Sequence, residues 1–217
     1  KFQFSFYSYC SLYHQKYNHQ IVQCVNDLYL TGNPILDLSL MPLLNKSSVS
    51  LLEPIFQSLI NEPNIRGIQC NNLNVPILLE SMADFINQNT SLAILSVPNC
   101  HIKTGSRVLG DSFKNNPNLK LQYLDLSSNP ISDINELIES LKYLQSPLFY
   151  LNLNDIPINQ KETKTLFDAI IKNKKLHSLS HLLINKATIN PSVLKVFSFS
   201  ITPIKDNLKH LDLGPIN

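Results

Sequence analysis

The 217-residue sequence has no tryptophan and only five glycines, and these form none of the motifs G-x-x-x-x-G-K-[ST], G-x-G-x-x-G or G-x-S-x-G. Their absence excludes the common loops that cradle phosphates or dinucleotides and the nucleophile elbow of serine hydrolases. No run of about 18 apolar residues occurs, so a membrane-spanning helix is not expected. The net charge is only +2, which gives no extended basic field, and nucleic acid is therefore not an expected partner.

What the sequence does contain is a repeat. Residues 121–131 match the pattern L-x-x-L-x-L-x-x-N-x-L, with isoleucine in the last position. The frame recurs, and its second anchor falls at Leu28, Ile68, Leu95, Leu124, Leu151, Leu182 and Leu211. Successive anchors are 27 to 31 residues apart, except for a first spacing of 40. We predict that the first repeat carries about a dozen extra residues in a loop over residues 36–46.

The repeat dictates an architecture. The second and third anchors are two residues apart, so both point to one face of a short strand, and successive strands lie parallel. Each crossover is long enough for a helix, and the starting residues are expected at Ser50 (as a capping box with Glu53), Pro76, Thr104 or Ser106, Ser132, Asn159 and Asn190. Strands stack about 4.8 Å apart and helices need about 8–10 Å, so the stack must curve. The sequence predicts an α/β leucine-rich-repeat horseshoe solenoid with parallel concave strands and convex helices.

Repeats of this length with a full helix resemble the ribonuclease-inhibitor-like class of leucine-rich repeat. The resemblance covers residues 25–217, and it departs at the asparagine position, which only Asn33 and Asn129 keep. The ladder of amides typical of that position is therefore incomplete. Within the class, the segment L-D-L-S-S-N-P-I resembles repeats of the CARMIL and tropomodulin cytoskeletal regulators, in which such solenoids sit beside actin- or membrane-directed segments. The Ran GTPase-activating protein has a similar repeat type.

The domain prediction divides the chain in two. Residues 25–217 hold about seven repeats, and the last is truncated inside its strand motif, so we expect the natural protein to continue past Asn217. Residues 1–24 are predicted to be an N-terminal cap, with the tail of a preceding segment as the alternative. Within them, alternation over residues 2–10 favours a strand, and residues 17–24 favour a capping helix.

The four cysteines are Cys10, Cys24, Cys70 and Cys100. They form no CxxC pair, no histidines stand at zinc-ligand spacing, and no metal or other cofactor is predicted. An even number leaves a disulfide framework open, but Cys70 and Cys100 occupy repeat positions that require small buried groups. We therefore expect reduced core thiols in a cytosolic or nuclear compartment, and the prediction is a cytoplasmic protein.

The candidate site is the concave strand face, because residues that flank the anchors point away from the core. Read across the repeats, they form a row of aromatic and imidazole side chains with polar residues beside it, which is typical of a protein-binding strip. The predicted partner-binding residues are Tyr29, Tyr123, Asp125, Tyr150, Asn152, His181, His210 and Asp212. The alternative is that they are solvated scaffold residues that stack on one another.

The functional prediction is a non-enzymatic protein–protein interaction module of a larger cytosolic protein that binds a partner through the concave strand face, with cytoskeletal regulation as the expected setting. No catalytic residues are predicted. One alternative is a regulator of a small GTPase, which the absence of concave arginines weakens, since Arg66 and Arg107 lie elsewhere. A second alternative is a structural component of a cytoskeletal assembly. Extracellular recognition is disfavoured because disulfide-stapled caps are absent.

Overall fold

The computed structural model describes residues 1–41 and 49–215. Within these ranges, seven strands of three residues form one parallel sheet in sequence order. The strands are β1 (Ile35–Asp37), β2 (Gly67–Gln69), β3 (Ile94–Ser96), β4 (Tyr123–Asp125), β5 (Tyr150–Asn152), β6 (His181–Leu183) and β7 (His210–Asp212). Six of them lie where the repeat predicted them, and the first does not.

Most helices lie in the crossovers between strands, outside the sheet, and pack on the helix of the next repeat. Two helices precede the first strand, and the first helix of the chain packs mainly on the third. They are α1 (Phe2–Leu12), α2 (His19–Thr31), α3 (Leu52–Leu59), α4 (Leu78–Ser81), α5 (Ala83–Gln88), α6 (Ser106–Asn115), α7 (Ile134–Ser140), α8 (Gln160–Lys172) and α9 (Pro191–Ile201). Single 3-10 turns occupy Leu38–Leu40, Val49–Leu51, Leu141–Tyr143 and Lys174–Ser178. The architecture is the predicted leucine-rich-repeat solenoid, with strands on its concave face and helices on its convex face.

Register explains the core. Every strand pairs in step with the next, so the central residue of each strand lies beside the central residue of its neighbour. These central residues are completely buried from Leu36 to Leu182. Leu211 is 37% exposed, because β7 pairs with β6 on one side only within the described sheet. Cys70 and Cys100 are buried in the same core, where the Cys100 thiol donates to the Cys70 carbonyl oxygen at 3.1 Å.

A left-handed residue follows four of the strands. Asn72, Asn99, Ser128 and Asp155 each stand three residues after the end of a strand, with φ of 56°, 52°, 57° and 65°. Asparagine and aspartate tolerate this conformation better than most side chains because they can form local hydrogen bonds. The turn that takes the chain from the sheet to the convex side thus accounts for part of the high asparagine content.

Of the two asparagines at the asparagine position of the repeat, Asn129 is the one that the structure confirms in its expected role. Its carboxamide oxygen accepts from the backbone N–H groups of Cys100 and Ile102, at 2.9 and 3.1 Å. Its amide nitrogen donates to the carbonyl oxygens of Val97 and Leu126, both at 2.8 Å. One side chain therefore satisfies backbone groups in two adjacent repeats.

A second asparagine position, at the helix ends, was not predicted. Asn89, Asn116 and Asn173 are buried and lie at or next to the ends of α5, α6 and α8. The Asn116 amide donates to the carbonyl oxygens of Ile86 and Asn89, both at 2.9 Å. Asn89 and Asn173 make equivalent bonds to the preceding repeat. These side chains satisfy helix-terminal carbonyl groups, and the signal that could have found them is N-x-x-L after each of these three helices.

The prediction for the first repeat strand is wrong. Residues 28–30 lie in α2, which begins after Asn18, whose side chain accepts from the Gln20 N–H, and ends at Gly32 with φ of 67°. Leu30, assigned as an anchor, is 85% exposed. The first strand is β1, and Asn33 only accepts a hydrogen bond from the Ile35 N–H at 3.0 Å.

With Leu36 as the first anchor, the first repeat spacing becomes 32 residues, so a dozen-residue insertion is not needed. Of the loop predicted over residues 36–46, the part up to Met41 comprises the end of β1 and a 3-10 turn, and residues 42–46 lie outside the described part of the chain.

Two further local predictions are wrong. Residues 2–10 form helix α1, because Phe2, Phe6 and Cys10 are buried at helical spacing while Phe4 is 76% exposed. At α3, the residue that precedes the helix is Leu51, which makes no side-chain capping bond, so Ser50 and Glu53 do not form the expected box. The predicted helix over residues 17–24 is present as the first part of α2.

The prediction that Tyr29 lies on the concave face is wrong for the same reason, because Tyr29 lies on α2 and not on a strand. Its hydroxyl donates to Glu62 Oε2 at 2.8 Å, and Glu62 is itself buried. Burial, followed by the hydrogen bond and negative charge of Glu62, raises the pKa of Tyr29. The pair ties α2 to the loop that leads into β2.

The helix-end asparagines generate a first prediction. Substitution Asn116→Ala removes two buried hydrogen bonds and leaves two carbonyl groups without a donor, so the free energy of unfolding should fall by about 2 kcal/mol. Urea denaturation followed by far-ultraviolet circular dichroism measures it. The matched control is Asn115→Ala, at the exposed neighbour, which should change stability by less than about 0.5 kcal/mol. Equal effects of the two substitutions would show that the buried amide contributes nothing.

The second prediction concerns Tyr29. Substitution Tyr29→Phe keeps the ring and removes the hydroxyl that Glu62 accepts, so stability should fall by about 1–2 kcal/mol. Differential scanning calorimetry at neutral pH provides the measurement. Tyr143→Phe, at an exposed tyrosine, is the control and should leave the melting temperature unchanged. An unchanged melting temperature for Tyr29→Phe would contradict a stabilising role of this hydrogen bond.

Candidate functional site

The first residues of β4, β5, β6 and β7 form a continuous row of rings, here called the ring ladder: Tyr123, Tyr150, His181 and His210. The rings of Tyr123 and Tyr150 stack with centroids 4.0 Å apart and planes 7° apart. The next centroid distances are 5.3 Å, between Tyr150 and His181, and 6.0 Å, between His181 and His210. In-register strand pairing alone brings these four side chains together, as the sequence predicted.

The same column is aliphatic in the first three repeats. It consists there of Ile35, Gly67 and Ile94. A Cβ added at Gly67 would lie 3.1 Å from Ile35 Cγ1 and 3.2 Å from Ile94 Cβ, so the two isoleucines close over the glycine. The concave face therefore has an aliphatic half and an aromatic half, which meet between β3 and β4.

The polar residues beside the ladder stabilise turns. Asp37, Asp125, Asn152 and Asp212 each accept a hydrogen bond from the backbone N–H two residues later, at 2.9 to 3.1 Å. This is the geometry of an Asx turn, which ends the strand. Each of these side chains thus already has a partner in its own repeat.

Asp125 and Asn152 are the most enclosed of the predicted site residues. They are 7% and 9% exposed, and the Asn152 amide donates to Asp125 Oδ2 at 3.0 Å. Their hydrogen bonds to the turns and to each other stabilise the strands beneath the rings. Asp212 remains half-buried and accepts from the Asn154 amide at 3.1 Å, two repeats away.

The outer surface of the ladder combines apolar area with polar tips. Tyr123, Tyr150 and His181 are half-buried and His210 is exposed. Burial, followed by the hydrogen bond with the Tyr150 hydroxyl, raises the pKa of Tyr123. The Tyr123 hydroxyl therefore stays neutral at physiological pH and can both donate and accept.

Tyr29, Arg66 and Arg107 do not lie on this face. Tyr29 lies on α2, as described above. Arg66 precedes β2, and Arg107 on α6 pairs with Asp111 at 3.4 Å. His177 stands four residues before His181 in the sequence, but its ring lies 3.1 Å from the Ile170 carbonyl oxygen, while His181 Nδ1 lies 2.9 Å from Ser180 Oγ. The two histidines therefore share no partner.

The described residues offer neither a metal site nor a membrane-spanning helix. Residues 1–41 and 49–215 hold no group of three or more histidine, cysteine, aspartate or glutamate side chains placed to bind a metal ion. None of the helices in these ranges combines the length and the apolar character needed to cross a bilayer.

Comparison with known proteins gave matches at the level of structure only. No family model matches the sequence, and no curated protein does. The tropomodulin C-terminal domain of Caenorhabditis elegans superposes with a TM-score of 0.55 at 15% identity, over 74% of this chain and 93% of that one. Actin-binding site 2 of leiomodin-1 gives a TM-score of 0.48 at 15% identity, over 74% and 91%. At this identity the likeness concerns the fold, and the chain is a leucine-rich-repeat solenoid similar in fold to the tropomodulin C-terminal domain.

Proposed function

We propose that this chain is a non-enzymatic interaction module that binds a protein partner through its concave strand face. The ring ladder is the observation that carries the proposal. Tyrosine offers large apolar area with a polar tip at low conformational cost, and such side chains dominate the energetics of many interfaces. Four rings in a row across four strands provide a contact strip that an extended or helical segment of a partner can follow.

The neighbouring contacts favour binding because they fix the strip in advance. The tyrosines restrict each other by stacking at 4.0 Å, and the Asx turns at Asp125 and Asn152 hold the strand ends beneath them. Side chains that are ordered before binding lose less entropy when the partner arrives. The polar residues thus act mainly by positioning, while the rings make the contact.

We further propose that the partner belongs to the cytoskeleton and that the module works in the cytoplasm. The supporting observations are the likeness in fold to the tropomodulin C-terminal domain and the segment L-D-L-S-S-N-P-I at residues 124–131. A GTPase regulator is the less favoured reading, because neither Arg66 nor Arg107 lies on a strand of the concave face.

The test combines crosslinking with substitution. Benzoylphenylalanine placed at Tyr150 should capture the partner from a cell extract on irradiation, whereas the same group at Phe199, exposed on the convex helix α9, should not. Mass spectrometry of the adduct identifies the partner. A cytoskeletal protein supports the narrower proposal, and a small GTPase contradicts it.

With the purified partner, the double substitution Tyr123→Ala and Tyr150→Ala should weaken binding at least about tenfold, because central aromatic contacts of an interface are worth about 2 kcal/mol or more. Isothermal titration calorimetry measures the affinity. Phe199→Ala is the control that removes an exposed aromatic ring from the other face. If both variants fold and bind like the unmodified chain, the concave face is not the binding surface.

A further inference from the structure

One edge of the solenoid carries a row of exposed lysines. The edge is formed by the segments that run from each helix end to the following strand, and in the last four repeats these segments hold six lysines, here called the basic edge: Lys120, Lys142, Lys174, Lys175, Lys205 and Lys209. All six are exposed. Asp206 is the one carboxylate in these segments, residues 116–122, 141–149, 173–180 and 202–209. A chain with a net charge of +2 therefore concentrates about five positive charges on one edge.

Hydrogen bonds show that these segments lie side by side. The Leu148 N–H donates to the Lys175 carbonyl oxygen at 3.1 Å, and the Lys209 N–H donates to the Ser180 carbonyl oxygen at 2.8 Å. The Asn207 amide donates to the His177 carbonyl oxygen at 2.9 Å. Neighbouring repeats are about 5 Å apart on the strand side and about 8–10 Å apart on the helix side. The lysines thus recur in short steps along one line.

Structural roles account for only part of the row. Every ion pair found among the described residues uses another cation, namely Arg107, Lys114, Lys172 or Lys186. A helix dipole favours lysine in the last turn of a helix, and Lys142 and Lys175 lie in the last turns of two 3-10 helices. Lys120 stands five residues beyond the end of α6, and Lys209 stands eight residues beyond the end of α9.

Aromatic side chains lie among the lysines. Tyr143 and Phe149 are both exposed on the same edge, and Lys142 Nζ lies 5.0 Å from the centre of the Tyr143 ring. Aromatic groups beside lysines suit the boundary between lipid headgroups and acyl chains, where one end of a side chain is apolar and the other is wet.

We propose that the basic edge docks on the surface of an anionic lipid bilayer. All the segments of this edge end on the same side of the solenoid, so their lysines can reach one flat surface together. The row contains lysine only, which acts as a point charge on a flexible stem and lacks the planar fork with which arginine reads phosphates of fixed geometry. Mobile anionic headgroups match such dispersed charges. The lysines lie in the segments that precede the strands and the rings lie on the strands, so the two surfaces use different residues.

The experiment is co-sedimentation of the full chain with vesicles at 150 mM NaCl. Binding is expected to vesicles of 70% phosphatidylcholine and 30% phosphatidylserine, and not to pure phosphatidylcholine. The double substitution Lys174→Gln and Lys175→Gln should lower the partition coefficient roughly 25-fold, since each lysine near such a surface contributes about fivefold. The matched control is Lys103→Gln with Lys161→Gln, which removes the same charge from exposed sites on the opposite edge. It should change binding less than about threefold, through net charge alone.

Two results would overturn the proposal. Equal losses for the two double variants would mean that total charge, and not the edge, governs binding. Absence of binding to the phosphatidylserine vesicles would reject a lipid partner outright. If the chain instead binds poly-L-glutamate under the same conditions, and the edge variant alone loses that binding, the row is a docking surface for an acidic protein.

Discussion

The in-register stacking of parallel strands is the constraint on which the rest of this molecule depends. Each strand is three residues long, and its central side chain points into the core while its first side chain points out. A shift of one residue in a pairing among β4 to β7 would exchange these two sets, exposing leucine and burying tyrosine or histidine. The buried anchors therefore specify the register, and the register builds the ring ladder. The same strand pairing therefore produces both the core and the candidate site.

Short strands leave many backbone groups near bends, and asparagine side chains satisfy several of them. Asn129 bonds backbone groups of two repeats, and Asn116 bonds the carbonyl groups at the end of the preceding helix region. Asn72 and Asn99 supply the left-handed turn after a strand. An incomplete asparagine ladder at the usual repeat position is thus complemented by a second set on the other edge, which keeps buried backbone groups paired.

The fold was predictable where the signal is local and repeated. The spacing of apolar anchors located six strands, and Asn159 and Asn190 marked their helix starts correctly. The anchor spacing gave a wrong strand at Leu28 and Leu30, because a surface helix can carry two leucines two residues apart by chance. There the capping residues Asn18 and Gly32 decide the structure. The ring ladder could be predicted from the columns of the repeat. The roles of Asp125 and Asn152 could not, because whether such a side chain faces a partner or its own turn depends on rotamers that tertiary packing sets.

The central claim is that Tyr123, Tyr150, His181 and His210 stand in one row because their strands pair in register. Nuclear Overhauser spectroscopy on the isotopically labelled chain tests it most directly. The account predicts ring-to-ring cross-peaks between Tyr123 and Tyr150, then between Tyr150 and His181, and none between Tyr123 and His210. Cross-peaks from the Tyr150 ring to the buried leucines of adjacent strands, with none to Tyr123, would contradict it.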